Sequence, residues 1–191
     1  MPRPEGIKRK KPKKKKNKGK DFESDFMAGL KMCPGFPLRI TDKMSVGPDG
    51  KMKRMAGSET PADFFYTDSN RHALIEAKSQ VYRDLNGCKR EFRFDKVAEH
   101  QVEGLLRFNA QSRRHIGLVA VFFWNGELKH AEKIKRAWLI PIHDYLKKWN
   151  QANFMSMNMN EVDQIGHEMD WLPGKQGACW NVHKALKEIL P

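Results

Sequence analysis

The run IGLVAVFFW at residues 116–124 constrains this chain more than any other stretch. It is apolar throughout and shows no alternation with polar residues. A strand with one face in water would alternate, so this run predicts a strand at the centre of a sheet, covered on both faces.

The flanking segments supply candidate neighbours and covers. From Asp21, DFESDFMAGLKMC places Phe22, Phe26, Leu30 and Cys33 on one helical stripe, with acids in the first turn where the helix dipole favours them. PGFP at 34–37 stops that helix, and residues 38–58, with the turn signal GPDG, read as a loop or ragged hairpin. PADFFYTDSNRHALIEAKS at 61–79 reads as two strands around a polar turn, and 80–94, with Gly87, as an exposed excursion. DKVAEHQVEGLLRFNAQ at 95–111 reads as a helix with Asp95 as N-cap. Its stripe is Val97, Gln101, Leu105 and Phe108, flanked by Ala98 and Val102. AWLIPI at 137–142 looks like a strand, with Pro141 placing its end near a sheet edge. HDYLKKWNQ is a short helix, NEVDQIGHEM reads as helical, PGKQG as a turn and NVHKALKEIL as a final helix. This order of elements predicts one α/β domain over residues 21–191, a mixed central β-sheet flanked by helices.

Charge divides the chain. Residues 1–20 hold 11 Lys/Arg and a single acid, while the remainder has 25 basic and 22 acidic residues. Such a tail repels itself, has no apolar face to bury and is expected to be disordered alone. Lys8, Arg9, Lys10, Lys11, Lys13, Lys14, Lys15 and Lys16 are its DNA-binding candidates, since a polyanion releases counterions to such a run. A solubility or localisation tail is the plainer alternative. The three cysteines include no CxxC pair and point to a reducing, cytoplasmic setting. Cys179-x3-His183 lacks the second ligand pair a zinc site needs. No apolar run reaches the roughly 18 residues of a membrane span.

The chemistry concentrates in 61–79. Strand residues alternate faces, so Leu74, Glu76 and Lys78 share one face and Ile75, Ala77 and Ser79 the other. A turn at Ser69-Asn70 sets Asp63 directly opposite Glu76. Two carboxylates that close repel unless something positive lies between them. Lys78 helps, and a hard divalent cation such as Mg²⁺ or Mn²⁺ helps more. The competing reading is a solvent-exposed hairpin whose charges face water. Gln101 interrupts an apolar stripe, where its carbonyl can ligate or orient a ligand, or its amide can cap a buried backbone group. Glu23 either points at the metal or complements the helix dipole.

Together these residues resemble the PD-(D/E)XK nuclease superfamily, and within it the RecU-type Holliday-junction resolvases of bacteria and their phages. The matching features run in order: Phe22-Glu23, Asp63, Glu76-Ala77-Lys78, His100-Gln101-Val102-Glu103, the central apolar strand, and Trp138-Leu139-Ile140-Pro141. They span roughly residues 21–172. The chain departs from the family pattern at Thr60, which stands three rather than two residues before Asp63, and in a longer interval between Lys78 and Gln101. The resemblance implies a restriction-endonuclease-like fold and a homodimer that nicks symmetric strands of a four-way DNA junction. It implies Mg²⁺ or Mn²⁺ on Asp63, Glu76 and Gln101, with Lys78, Glu76, Asp63 and Glu23 as catalytic residues. It also implies a bacterial cytoplasm, with the gene belonging to the cell or to a phage. A flap or duplex-end nuclease, or a catalytically silent DNA-binding protein of the same fold, are the other readings.

Overall fold

The apolar run becomes the strand around which everything else is arranged. The computed structural model describes residues 18–41, 44–46, 52–54, 59–83, 90–125, 134–151, 155–172 and 179–189. In chain order these form α1 (Lys18–Lys31), β1 (Phe36–Arg39), β2 (Met44–Val46), β3 (Met52–Arg54), β4 (Phe64–Thr67) and β5 (His72–Arg83). Then come β6 (Phe92–Arg93), a 3₁₀ turn (Phe94–Lys96), α2 (Glu99–Gln111), β7 (His115–Asn125), β8 (Lys135–Pro141) and α3 (Ile142–Gln151). The chain finishes with β9 (Ser156–Met157), α4 (Met159–Ile165), β10 (His167–Met169), β11 (Trp171–Leu172), β12 (Cys179–Trp180) and α5 (Val182–Ile189).

A six-stranded mixed sheet in the order β1-β4-β5-β7-β8-β10 forms the middle layer. The strand β7 lies between β5 and β8, and Leu118–Phe123 are all buried. One face packs Phe64, Ile75, Leu118, Ala120 and Leu139 under α1 and α5, which bring Phe22, Phe26, Leu30, Val182 and Leu186. The other packs Leu74, Val119, Val121, Phe123 and Trp138 under α2, α3 and α4. The domain is therefore mixed α/β, with helices on both faces of the sheet. Among the described strand pairs only β5 and β7 run parallel, joined across the face by α2 in a β-α-β crossover.

The hairpin register is the one expected from the turn. Phe64 pairs with Ile75 and Thr67 with His72, and the tip closes through Asp68 N–H to Arg71 C=O at 2.9 Å. Asp68 Oδ1 also accepts from Asn70 N–H at 2.9 Å, an Asx turn that favours this reversal.

Four local expectations are corrected. The helix does not begin at Asp95. That residue lies in a 3₁₀ turn, ion-paired with Arg93, and Ala98 is the N-cap of α2. The described parts of 80–94, residues 80–83 and 90–94, are not a simple exposed excursion: β5 runs on to Arg83, and Phe92 and Phe94 are fully buried. Phe94 is stacked on Trp149, and its carbonyl accepts from the Tyr145 hydroxyl at 2.9 Å, so α3 pins the segment down. The Gly87 turn itself lies outside the described residues. In NEVDQIGHEM the helix stops at Ile165, because Gly166 is extended and His167–Met169 pair with β8. Residues 36–39 form the edge strand β1 rather than a simple helix stop. Pro141 does end its strand where, among the described residues, no second neighbour reaches, since β10 pairs with Ala137–Leu139. Of residues 38–58, the described parts are 38–41, which complete and follow β1, and the antiparallel strands β2 and β3, while the GPDG and PGKQG turns lie outside the described residues.

Candidate active site

The site forms where β4 leaves β5. The β4–β5 ladder ends at Phe64↔Ile75, while β5 continues to Arg83, so among the described residues one edge of β5 has no strand beside it there. Asp63 bends away there. Its N–H still donates to Ile75 C=O at 3.1 Å, and its Oδ2 accepts from Ala77 N–H at 2.9 Å. The carboxylate takes the place a strand carbonyl would have filled, which fixes Asp63 beside Glu76.

Glu76 is 1% exposed, a rare position for a carboxylate. Its Oε1 is ion-paired with Lys78 Nζ, from the same face of β5. Its Oε2 is buried and has no hydrogen-bond partner among the described residues. Burial, then the nearby charge of Asp63, push its pKa up to about 7, against the opposing pull of Lys78 and of Gln101 hydrogen bonding. Lys78 keeps 23% of its side chain exposed and so links this buried group to solvent.

Gln101 approaches from α2. Its Oε1 accepts from Ala98 N–H at 3.0 Å, completing the helix start that Ala98 cannot cap with a side chain of its own. With the oxygen so engaged, the amide nitrogen is the group left to donate to Glu76. The polar break in the stripe thus serves both the helix end and the carboxylate. Glu23, on α1, is ion-paired with Arg39 of β1. Burial, then Asp63, raise its pKa, while Arg39, Lys20 and Lys78 lower it. Asp63 therefore lies electrostatically between Glu23 and Glu76.

The structure brings Glu23, Asp63, Glu76, Lys78 and Gln101 into one neighbourhood; Lys8 to Lys16 lie outside the described residues. Among the described residues no group of three or more His, Cys, Asp or Glu converges on a single point, so a shared ion would rest on two carboxylates rather than three. Arg39 joins the cluster without any sequence signal, on the strand that local patterning misses. Lys20 is the last residue of the basic run, and it belongs to α1, which starts at Lys18 rather than at Asp21.

One contact couples α2 to the loop carrying Asp63. A Cβ at Gly104 would lie 2.4 Å from Pro61 Cβ, so only glycine allows this approach. Gly104→Ala is expected to push helix and loop apart and cost about 1–3 kcal/mol. Denaturant unfolding measures this, and an unchanged midpoint would contradict the close packing.

No known protein-family model matches the chain, and no curated protein sequence matches it. Among solved structures it is similar to Archaeoglobus fulgidus Hjc, a Holliday junction resolvase from an archaeal hyperthermophile, at 16% identity and a TM-score of 0.45. That likeness covers 78% of this chain and 95% of the other. At this level it carries neither a family assignment nor a residue role. Among the described residues no helix is long and apolar enough to cross a membrane.

Proposed function

We propose that the chain is a divalent-metal-dependent DNA endonuclease that resolves four-way junctions, with a restriction-endonuclease-like core. The observation that carries this reading is Glu76: a buried carboxylate with one oxygen unpartnered, held beside a second carboxylate and an ammonium. A purely structural buried acid normally has both oxygens satisfied. A charge-decorated hairpin would place these groups in water, and Glu76 is not in water.

The donor set suits a hard cation. Glu76 Oε2 and the Asp63 oxygen not engaged by Ala77 are hard oxygens, the type Mg²⁺ and Mn²⁺ take. Two protein carboxylates with the other positions left to water is an ordinary arrangement for Mg²⁺. A cation held there supplies Lewis acidity and a water acidified enough to attack phosphorus.

The chain's own residues do the rest. Ala77 N–H fixes the Asp63 carboxylate, and the Gln101 amide favours the charged form of Glu76 against the larger opposing effect of burial. We assign Gln101 to orienting Glu76 rather than to ligation, because its oxygen is engaged by Ala98. Lys78, partly exposed beside Glu76, can donate to a phosphate oxygen as charge develops on it. Glu23 holds the Arg39 guanidinium at the rim, where it can meet the DNA backbone. Lys8, Arg9, Lys10, Lys11, Lys13, Lys14, Lys15 and Lys16 add salt-sensitive affinity for branched DNA. A two-fold junction is matched by an isologous homodimer, and a cytoplasmic enzyme of a bacterium or its phage fits that substrate.

The test is cleavage of an end-labelled four-way junction, a flap and a linear duplex by the full chain with Mg²⁺. Paired nicks at symmetric positions of the junction are expected, with the other substrates cut more slowly. Flap or end cleavage at equal or greater rates would assign a different nuclease. Binding with no cleavage in either Mg²⁺ or Mn²⁺ would leave a silent binding protein.

A further inference from the structure

We propose that Lys96 is a phosphate-binding residue of this site, contacting the DNA backbone beside the position where Lys78 acts. The inference rests on the nuclease reading only for the identity of the polyanion.

Ala77 and Ser79 lie two apart along β5, so their backbone groups face the same edge, on the order of 7 Å from each other. That is the edge left open where β4 ends. Among the described residues, the side chains of Asp63 and Lys96 reach it. Asp63 Oδ2 takes Ala77 N–H, and Lys96 Nζ donates to Ser79 C=O at 2.9 Å. Lys96 therefore stands one step further along the edge that carries the carboxylates, at a spacing comparable with one nucleotide step of a DNA strand.

The chain brings Lys96 there deliberately. The 3₁₀ turn Phe94–Lys96 is anchored by buried Phe94, its carbonyl tied to Tyr145 and its N–H donating to Met155 C=O at 3.0 Å. The neighbouring acid does not neutralise Lys96, since Asp95 is ion-paired with Arg93. An ammonium has three donors, and the Ser79 carbonyl takes one. Two remain for a ligand. Burial, and the positive charge of Lys78, hold this lysine below its usual range despite Asp95 nearby. Two ammonium groups that feel each other, Lys96 on the strand edge and Lys78 on the adjoining face, suit an anion with charges on consecutive units, and a nucleic acid backbone has that pattern.

The hydrogen bond to Ser79 offers a purely structural alternative, and substitutions separate the two. Lys96→Gln keeps a donor for Ser79 but removes the charge; Lys96→Arg keeps the charge. Binding of the full chain to a labelled four-way junction is measured without divalent metal from about 50 to about 200 mM salt. Lys96→Gln is expected to lower the slope of log affinity against log salt by about 0.9, which shrinks the loss over that range about threefold. Lys96→Arg should retain the wild-type slope. An unchanged slope in Lys96→Gln would overturn the assignment whether or not the protein cuts DNA. A reduced slope in a protein that never cleaves would uphold Lys96 and remove the nuclease reading. Absence of DNA binding by the wild type would overturn both.

Discussion

Glu76→Gln is expected to make the metal-free protein more stable than the wild type, by about 3 kcal/mol at about pH 8. The folded-state pKa of Glu76 is pushed up to about 7 from the ordinary 4.5 of a glutamate, chiefly by burial. A carboxyl raised in this way binds its proton more tightly folded than unfolded. It therefore favours folding when protonated, and the wild type loses stability as pH climbs from about 4.5 to about 7. Glutamine has no charge to bury and shows no such loss, so the two curves should converge at low pH and separate above it. The difference is already net of Lys78 and Gln101, which pull the pKa the other way. For a chain of this size it corresponds to a shift of roughly 6–12 °C in the unfolding midpoint. Mg²⁺ should recover the stability of the wild type at the upper end of the range and leave Glu76→Gln unmoved. Thermal unfolding of both proteins across pH, with and without Mg²⁺, measures this. A wild type that gains stability through that window, or parallel profiles, would show that Glu76 is an ordinary satisfied acid.

A buried acid that destabilises its own fold when charged is difficult to explain by folding alone. Leucine or glutamine at position 76 would serve the sheet better. The arrangement makes sense if the charged form is needed with a cation beside it, which is the linkage that the Mg²⁺ arm of the experiment reads.

Much of the frame was legible because it is written locally. The central strand follows from the unbroken apolar run, and the hairpin register follows from the position of its turn. Phe22, Phe26, Leu30 and Cys33 are all buried, as their helical spacing requires. The edge strands were not legible. Both β1 and β10 are short, and β1 is mostly exposed, so neighbours rather than pattern make them strands. Helix α2 misleads for a different reason. Asp95 has the chemistry of an N-cap, but Arg93 holds it, and Gln101 does the capping from inside the helix.

The site divides in the same way. Asp63, Glu76 and Lys78 could be placed together because one hairpin carries all three. The bend at Asp63 was not foreseeable. A regular ladder would set Asp63 opposite Glu76, whereas the chain breaks the ladder and gives the Asp63 carboxylate to Ala77 N–H. Arg39 and Lys96 arrive from segments with no motif, and only the folded arrangement shows them at the rim.

A metal-dependent nuclease site here requires that cleavage need both the metal and Asp63. Asp63 repels Glu76 and Glu23, yet its backbone-anchored carboxylate is the hinge of the cluster. Asp63→Asn keeps the shape and a hydrogen-bond acceptor for Ala77 while removing the charge that would hold a cation. The measurement is the single-turnover rate of nicking of a labelled four-way junction, for the full-length wild type and Asp63→Asn, in Mg²⁺ and in EDTA. Cleavage by the wild type only with Mg²⁺ is expected, with the rate of Asp63→Asn lower by about a thousandfold or more and junction binding nearly unchanged. Nicking that persists in EDTA, or an Asp63→Asn protein that cuts at the wild-type rate, would contradict it.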